Sequence, residues 1–307
     1  HKLVKGALRA LSYSDIDVKK NYRLKRRLVN LMNFDVLKPF YKTWDHQIHF
    51  RGYDIPVRIF APPSQQNPEI LLFFHGGGWV TGNIDSYTRV CATMAKKTGR
   101  RVISVDYRLA PEYRFPAAPE DCYRVAREIF LDTKLLDAAP SQITLIGDSA
   151  GANLAAAVSL MARDRGEFEV KQQILIYPAT YYDHTPESPF ESVRENGTDY
   201  LLTSRRICDY MELYMSGAQD LKNPYFAPLM ADDFTRQPKT LVITAQYDPL
   251  RDEGEAYAQK LKEAGGDVVV YRVANGLHGF FSLPAIFPQV KVSYSQINRF
   301  LQGTIKS

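Results

Sequence analysis

The sequence Ile143-Thr-Leu-Ile-Gly-Asp-Ser-Ala-Gly151 joins a β-rich apolar run to a helical stretch that is apolar nearly all round. It contains the pattern Gly-x-Ser-x-Gly, which between a strand and a helix is typical of a sharp turn that exposes a serine hydroxyl at the edge of a sheet. Glycine is needed on both sides because a Cβ atom there would collide with the neighbouring strand or helix. Ser149 is therefore a candidate nucleophile, and the alternative is a glycine-flanked serine that caps the helix.

Strand and helix patterns alternate on both sides of this stretch, from about residue 44 onward. Such alternation predicts an α/β fold, with βα units around a mostly parallel sheet. About eight strands are predicted, at 47–50, 55–60, 70–74, 101–106, 143–146, 173–177, 241–245 and 268–272. The predicted helices between and after them are at 87–97, 118–131, 152–163, 254–264 and 289–301.

Two segments break the alternation, residues 1–43 and residues 184–235. Both have helical patterns, including one near 204–215, but no strand with which to complete a βα unit. Their apolar stripes need another surface to cover, and the carboxyl ends of the strands are the available one. The sequence thus predicts a catalytic core formed by 44–183 and 236–307, with 1–43 and 184–235 as a helical cap.

A second motif, His75-Gly-Gly-Gly-Trp79, follows the predicted strand at 70–74. A glycine run lets backbone amides approach a ligand, and acyl transfer needs such donors for the oxyanion that develops. The predicted donors are the amides of Gly77, Gly78 and Ala150, with His75 as a hydrogen-bonding residue that fixes the loop. A phosphate cradle is disfavoured, because neither a following Lys-Ser/Thr nor the Gly-x-Gly-x-x-Gly spacing is present.

A nucleophilic serine needs a base, and the base needs a carboxylate that orients it. His278, just after the last predicted strand, can reach the same sheet edge as Ser149. Asp248 and Asp252 both follow the preceding strand; Asp248 is closer to the strand end, and Asp252 is expected to serve the start of the next helix. The order Ser149, Asp248, His278 is the one that an α/β-hydrolase sheet imposes.

Aromatic and apolar residues of the cap are candidates for the wall of a substrate pocket. Their helical spacing equally fits packing inside the cap, which is the alternative. The candidates are Trp79, Phe34, Leu37, Phe40, Tyr210, Met211 and Tyr214.

The chain has 307 residues and a formal net charge of +5, from 39 Lys and Arg against 34 Asp and Glu. Residues 1–27 hold nine of these basic residues and two of the acidic ones, so the remainder carries 30 − 32 = −2. The basic residues near 19–27 alternate with leucines at helical spacing, which favours a solvated helix face over a nucleic-acid-binding surface. Contact with a membrane surface or a partner is the alternative.

The cysteines Cys91, Cys122 and Cys208 are odd in number and far apart, which argues against a disulfide framework or a thiol zinc site. No apolar run approaches the ~18 residues that span a bilayer, and no signal-peptide pattern opens the chain. We therefore expect a cytoplasmic protein with reduced thiols, no metal and no cofactor, whose partner is a small-molecule ester. The sequence leaves open a removed leader and a homo-oligomer.

Five motifs together resemble those of the bacterial carboxylesterases of the hormone-sensitive lipase family, family IV. They are His75–Trp79, Asp106–Glu112, Gly147–Gly151, Asp248–Glu253 and His278–Phe280. The resemblance covers the chain from about residue 45 to its end and implies an α/β-hydrolase fold, a metal-free serine esterase and a preference for short acyl chains. It also implies catalytic roles for Ser149, Asp248 and His278 and oxyanion roles for Gly77, Gly78 and Ala150.

The expected activity is hydrolysis of short-chain, acetyl-like esters through an acyl-enzyme. Two alternatives stay open: an amidase or arylformamidase with the same triad, and a ligand receptor without turnover on the same fold. A receptor would lack a working base, so the intact His278 argues against it, whereas an amidase keeps the triad and is distinguished by comparing matched ester and amide substrates.

Overall fold

The structure is a computed structural model that describes residues 18–32, 41–50, 52–63, 69–132, 134 and 136–305. Eight strands form one sheet, as predicted: β1 Thr43–Phe50, β2 Tyr53–Phe60, β3 Ile70–Phe74, β4 Arg101–Val105, β5 Ile143–Asp148, β6 Gln172–Ile176, β7 Lys239–Tyr247 and β8 Val268–Leu277. The helices are α1 Val18–Met32, α2 Thr88–Thr98, α3 Ala117–Leu131, α4 Ala150–Arg165, α5 Glu191–Asn196, α6 Ser204–Tyr214, α7 Arg251–Glu263 and α8 Pro288–Leu301.

The strand order across the sheet is β1-β2-β4-β3-β5-β6-β7-β8. Strands β1, β2 and β4 pair antiparallel, and all pairs from β4 to β8 are parallel. The short antiparallel edge follows from the tight connection between β1 and β2, since parallel neighbours need a helical crossover. The parallel part brings the carboxyl ends of β3, β5, β7 and β8 to one edge.

Strands β3 and β5 lie at the centre of the sheet and are buried on both faces, which explains why β3 is apolar throughout and β5 is polar only at Thr144 and Asp148. Alternate residues of β3 belong to two different cores. Helices α3, α4 and α7 cover one face, and α2 and α8 cover the other. Helix α4, predicted as a central helix, is buried along its first thirteen residues, 150–162.

The two segments outside the βα alternation contribute α1, α5 and α6, and α1 packs against α6. The first strand, β1, begins at Thr43, four residues before its predicted start. None of the described helices has both the length and the apolar character required to cross a bilayer. Arg26 on α1 donates to the carbonyls of Val80 and Ala110 at 2.6 Å each and pairs with Glu112 at 2.8 Å.

Candidate active site

Ser149 lies at the turn between β5 and α4 with φ +55° and ψ −120°, a conformation that L-residues rarely adopt. The two flanking glycines explain how the turn is accommodated. A Cβ on Gly147 would overlap the carbonyl of Gly151, and a Cβ on Gly151 would overlap the carbonyl of Phe74 in β3. The amide of Ser149 donates to the Ile176 carbonyl at 2.9 Å, which fixes the turn to β6.

The structure brings Ser149, His278 and Asp248 together in one hydrogen-bond chain. The Ser149 hydroxyl lies 2.8 Å from Nε2 of His278, and Nδ1 of His278 lies 2.7 Å from Oδ2 of Asp248. Since a carboxylate accepts the Nδ1 proton, Nε2 is left as the acceptor for the hydroxyl. The ring of Tyr177 packs against the imidazole at 4.7 Å and limits its rotation.

Asp248 is fully buried at the end of β7. Its second oxygen accepts the Leu250 amide at 2.9 Å, and Nδ2 of Asn196 donates to its backbone carbonyl at 3.3 Å. These bonds leave Oδ2 directed at His278. Asp252, the alternative carboxylate, lies in the first turn of α7, and its Oδ2 accepts the amide of Ser192 in α5 at 2.7 Å.

The glycine loop after β3 places Gly77 and Gly78 beside Ser149, at the wall of the same cavity. Gly77 has φ +121° and Gly78 has φ +60°, which explains the need for glycine at both positions. Within the described part of the chain, the amides of Gly77, Gly78 and Ala150 donate to no other group. Gly77, Gly78 and Ala150 all line the cavity that contains Ser149.

His75 lies underneath this loop and is fully buried. Its Nδ1 lies 2.8 Å from the Gly76 carbonyl, its ring stacks on Tyr107 at 4.3 Å, and the Tyr107 hydroxyl donates to its carbonyl at 2.7 Å. Burial lowers the pKa of His75 to about 4, because the charged form would lose its hydration. A neutral, enclosed imidazole suits a loop-fixing residue and not a base that reaches substrate.

Asp148 is one of the residues at this site that the sequence motifs did not predict. Its carboxylate accepts the Gly76 amide at 2.8 Å, the Tyr87 hydroxyl at 3.1 Å and the Tyr177 hydroxyl at 3.4 Å. It thereby connects the serine turn to the glycine loop, 72 residues apart in the chain. Burial raises the pKa of Asp148 to about 6 despite these donors. Its position as the variable residue of Gly-x-Ser-x-Gly gave no signal of this role.

A cavity of about 270 Å³ opens over Ser149 and His278. Its wall is mostly apolar, with Ala179, Ile207 and Leu250 among the lining residues. Two basic residues, Lys25 of α1 and Arg206 of α6, also line it and were not predicted as site residues. Both are in the predicted cap segments, where helical patterns give no information on which face meets the cavity.

The predicted pocket residues have different positions. Trp79 and Tyr210 line the cavity, and the Tyr210 ring covers Gly78, where a Cβ would lie 2.6 Å from it. The structure differs from the prediction for Tyr214, which stacks behind Trp79 at 4.5 Å and does not reach the cavity. Met211 is likewise buried in the core. The remaining candidates, Phe34, Leu37 and Phe40, lie outside the described residues.

Tyr214 lies one helical turn after Tyr210 on the same side of α6 and packs into a cluster of aromatic rings. Tyr210 meets Gly78, and Tyr214 meets Phe115 and Phe226 as well as Trp79.

Among the described residues, no group of three or more His, Cys, Asp or Glu side chains could hold a metal ion. The three cysteines are free, and Cys91 and Cys122 are buried.

A family model described as alpha/beta hydrolase fold matches residues 71–282, more than half of the chain. An arylesterase of Saccharolobus solfataricus is 37% identical over 255 residues, which is 83% of this chain and 82% of that protein. An ethyl acetate hydrolase of Pseudomonas putida is 32% identical over 256 residues, 82% of this chain and 79% of that protein.

Solved structures of esterases resemble this chain over its full length. An esterase of Pyrobaculum calidifontis superimposes with a TM-score of 0.87 and 36% identity, and the match covers 100% of this chain and 99% of that one. The predicted fold and the predicted family are both confirmed. The chain therefore belongs to the hormone-sensitive lipase family of carboxylesterases, within the α/β-hydrolase fold.

Proposed function

We propose that this protein hydrolyses carboxylic esters with short acyl chains through an acyl-enzyme formed on Ser149. The observation that carries the proposal is the hydrogen-bond chain from the Ser149 hydroxyl through His278 to Asp248, at 2.8 and 2.7 Å. A serine hydroxyl is a weak nucleophile at its free pKa and needs an adjacent base, which this chain supplies.

In the first half-reaction, Oγ of Ser149 attacks the acyl carbon while Nε2 of His278 takes the hydroxyl proton. Asp248 holds the imidazole and stabilises the imidazolium that forms. The amides of Gly77, Gly78 and Ala150 donate to the oxyanion of the tetrahedral intermediate. As the intermediate collapses, His278 gives the proton to the departing alcohol oxygen, and the acyl group stays on Ser149.

In the second half-reaction, water takes the place of the alcohol. His278 removes a proton from the water as it attacks the acyl carbon, and the same amides stabilise the second oxyanion. Collapse returns the proton to Oγ of Ser149 and releases the carboxylic acid. The cycle consumes one ester and one water and regenerates the starting enzyme.

The short-chain preference is supported by the size of the cavity. Its volume of about 270 Å³ lies below the roughly 300–1,000 Å³ of sites for drug-sized ligands. In this proposal, the segments 1–43 and 184–235 act as a cap, whose described parts α1 and α6 place Lys25, Ile207 and Tyr210 on the wall.

The first prediction concerns Ser149→Ala, assayed with p-nitrophenyl acetate. We expect kcat to fall by about 10⁴- to 10⁶-fold, since the triad acts as a unit. An exposed serine far from the cavity, Ser141, provides the control variant Ser141→Ala, which should keep wild-type activity. An acid-quenched reaction should show the acyl group on the peptide that contains Ser149, by mass spectrometry. Undiminished turnover in folded Ser149→Ala would refute the proposal.

The second prediction concerns acyl-chain length. Across p-nitrophenyl esters from acetyl to decanoyl, kcat/KM should be highest for the short chains and fall as the chain outgrows the cavity. Matched ester and amide substrates assayed together separate an esterase from an amidase. The highest kcat/KM with the decanoyl ester would contradict the small-pocket interpretation, and a higher value for the amide would favour the amidase.

A further inference from the structure

The part of the cavity wall that α1 and α6 form carries two cationic side chains. Lys25 of α1 and Arg206 of α6 both line the cavity that contains Ser149, and both are half-buried. The other residues lining that wall are apolar or aromatic, including Leu202, Ile207 and Tyr210. Nothing in the proposed hydrolysis of a simple ester uses a positive charge at these positions.

Contacts hold each cation at the wall. The Lys25 ammonium lies 4.9 Å from the centroid of the Tyr210 ring, within the range of a cation–π interaction. The same ring covers Gly78, so that Lys25, Tyr210 and the glycine loop form one stack. Arg206 lies one helical turn before Tyr210 on α6, and its Nη1 donates to the Leu201 carbonyl at 2.7 Å.

Lys25 and Arg206 are the lysine and the arginine among the described residues that line the cavity. Among the described residues that line the cavity, Asp148 is the one carboxylate. Its oxygens accept hydrogen bonds from the Gly76 amide and from two tyrosine hydroxyls beneath Ser149. A half-buried cation attracts an anion more strongly than an exposed one does, because the surrounding dielectric constant is lower.

We infer that the cavity recognises esters that carry an anionic group, such as a carboxylate, which Lys25 and Arg206 bind while the ester carbonyl lies over Ser149. This inference rests on the proposed function and narrows its substrate class. A guanidinium matches a carboxylate with two parallel N–H donors, and an ammonium adds a point charge beside it. The alternative is that both side chains only lay their aliphatic stems along the apolar wall.

Two matched substrate pairs test the inference. Phenyl hemisuccinate and phenyl levulinate differ by a charged oxygen against a methyl group in the acyl half. The compounds para-acetoxybenzoate and para-acetoxyacetophenone differ in the same way in the alcohol half. The assays are run at mildly alkaline pH, which keeps the carboxylates ionised. Low salt limits the screening of the attraction between the substrate and the two cations. Each kcat/KM is normalised to the spontaneous rate of the same ester in hydroxide, so that differences in intrinsic reactivity are removed.

We expect wild-type protein to prefer the anionic member of at least one pair by about 10-fold or more, the factor of one charge-assisted hydrogen bond. The pair that shows the preference tells whether the anionic group belongs to the acyl or the alcohol half. Arg206→Gln and Lys25→Gln should lower the preference. Neighbouring cations that are exposed on the same helices give the control variants Arg205→Gln and Lys20→Gln, which should retain it.

The preference is a ratio measured on one protein sample, so partial misfolding of a variant does not change it. Equal normalised rates in both pairs overturn the inference, and so does a preference that neither Arg206→Gln nor Lys25→Gln lowers. A preference that either variant lowers supports it. Neutral-ester hydrolysis that still depends on Ser149 would leave the proposed function intact when the inference fails, whereas loss of that dependence would remove both.

Discussion

The serine turn with its glycine loop and the wall formed by α1 and α6 line one cavity, but they are held in place in different ways. In the first region, backbone atoms pass so close that Gly147 and Gly151 have no room for a Cβ. In the second region, position depends on stacked rings, as between Trp79 and Tyr214, and on ion pairs such as Lys19 with Glu212.

This difference in how the two regions are held implies that they differ in their tolerance of substitution. Backbone contacts and buried hydrogen bonds fix the reacting groups, because catalysis requires them within a fraction of an ångström. Ring stacking and exposed ion pairs tolerate substitution, since volume-conserving changes in a packed cluster cost little and exposed pairs contribute about 1 kcal/mol or less. The serine turn is thus rigidly built, while the wall formed by α1 and α6 tolerates substitution.

The largest effect in this comparison is expected from Gly151→Ala. The added Cβ would overlap the Phe74 carbonyl and push α4 away from β3, which moves Ser149 relative to His278. A displacement of about 1 Å at a reacting group costs on the order of 100-fold in rate, so we expect kcat/KM to fall by at least that factor. The measurement is p-nitrophenyl acetate hydrolysis together with urea unfolding.

The control is Gly166→Ala, at the other end of the same helix. Gly166 has φ +66°, and nothing lies within 4 Å of a Cβ placed there. Backbone strain alone should cost roughly 1 kcal/mol of stability and leave the rate unchanged. If Gly166→Ala reduced kcat/KM as much as Gly151→Ala, close packing at the serine turn would not be the cause.

A smaller effect is expected from Asp148→Asn, and it should depend on pH. Burial raises the pKa of Asp148 from its ordinary value near 3.8 to about 6, so the folded protein holds this proton more tightly than the unfolded chain. The stability that Asp148 contributes is full below about pH 4 and is lost as pH rises through about 6. The variant should therefore gain up to about 3 kcal/mol relative to wild type across this interval.

Urea unfolding of both proteins at several pH values between 4 and 7 measures this gain. The difference between two proteins is compared, so His75, whose pKa burial lowers to about 4, contributes equally to both. The amide oxygen of the variant can still accept the Gly76 N–H, which keeps the connection between the turn and the loop. A pH-independent difference would show that Asp148 is not held against ionisation by burial.

The sequence predicted the serine turn region well because short-range chemistry dictates it. The glycines on both sides of Ser149 and the three glycines after His75 are each required locally, and they mark this region without knowledge of the rest of the fold. The eight strands were likewise predicted from their apolar runs, with ends that the structure extends for β1, β7 and β8.

The sequence did not predict the groups whose role depends on tertiary contacts. Asp148 is important because Gly76 and Tyr87 donate hydrogen bonds to its carboxylate. Asp148 occupies a variable position of the motif, so the motif does not predict these contacts. Tyr210 and Tyr214 lie four residues apart and both fit the helical pattern of α6. Tyr210 nevertheless lines the cavity, whereas Tyr214 packs in the core. Helical periodicity identifies a buried face and cannot tell a pocket wall from a packed interior.

Replacing two buried tyrosines by phenylalanine is expected to have the smallest effect on stability. It also compares the two regions most directly, because each tyrosine lies in one of them. Tyr107, under the glycine loop, donates its hydroxyl to the His75 carbonyl at 2.7 Å. Tyr214, in the cap, is equally buried, but its hydroxyl has no hydrogen-bond partner among the described residues. A satisfied buried hydroxyl stabilises the fold, and an unsatisfied one costs about 1–3 kcal/mol.

We therefore expect opposite signs from the same chemical change. Tyr107→Phe should lower the free energy of unfolding by about 1–2 kcal/mol, because the His75 carbonyl loses its donor. Tyr214→Phe should leave it unchanged or raise it by about 1 kcal/mol. Equilibrium urea unfolding of the two variants against wild type measures both values. An equal loss in the two would mean that the Tyr214 hydroxyl is satisfied by a bound water, in which case the cap would be fixed by buried polar bonds as the serine turn is.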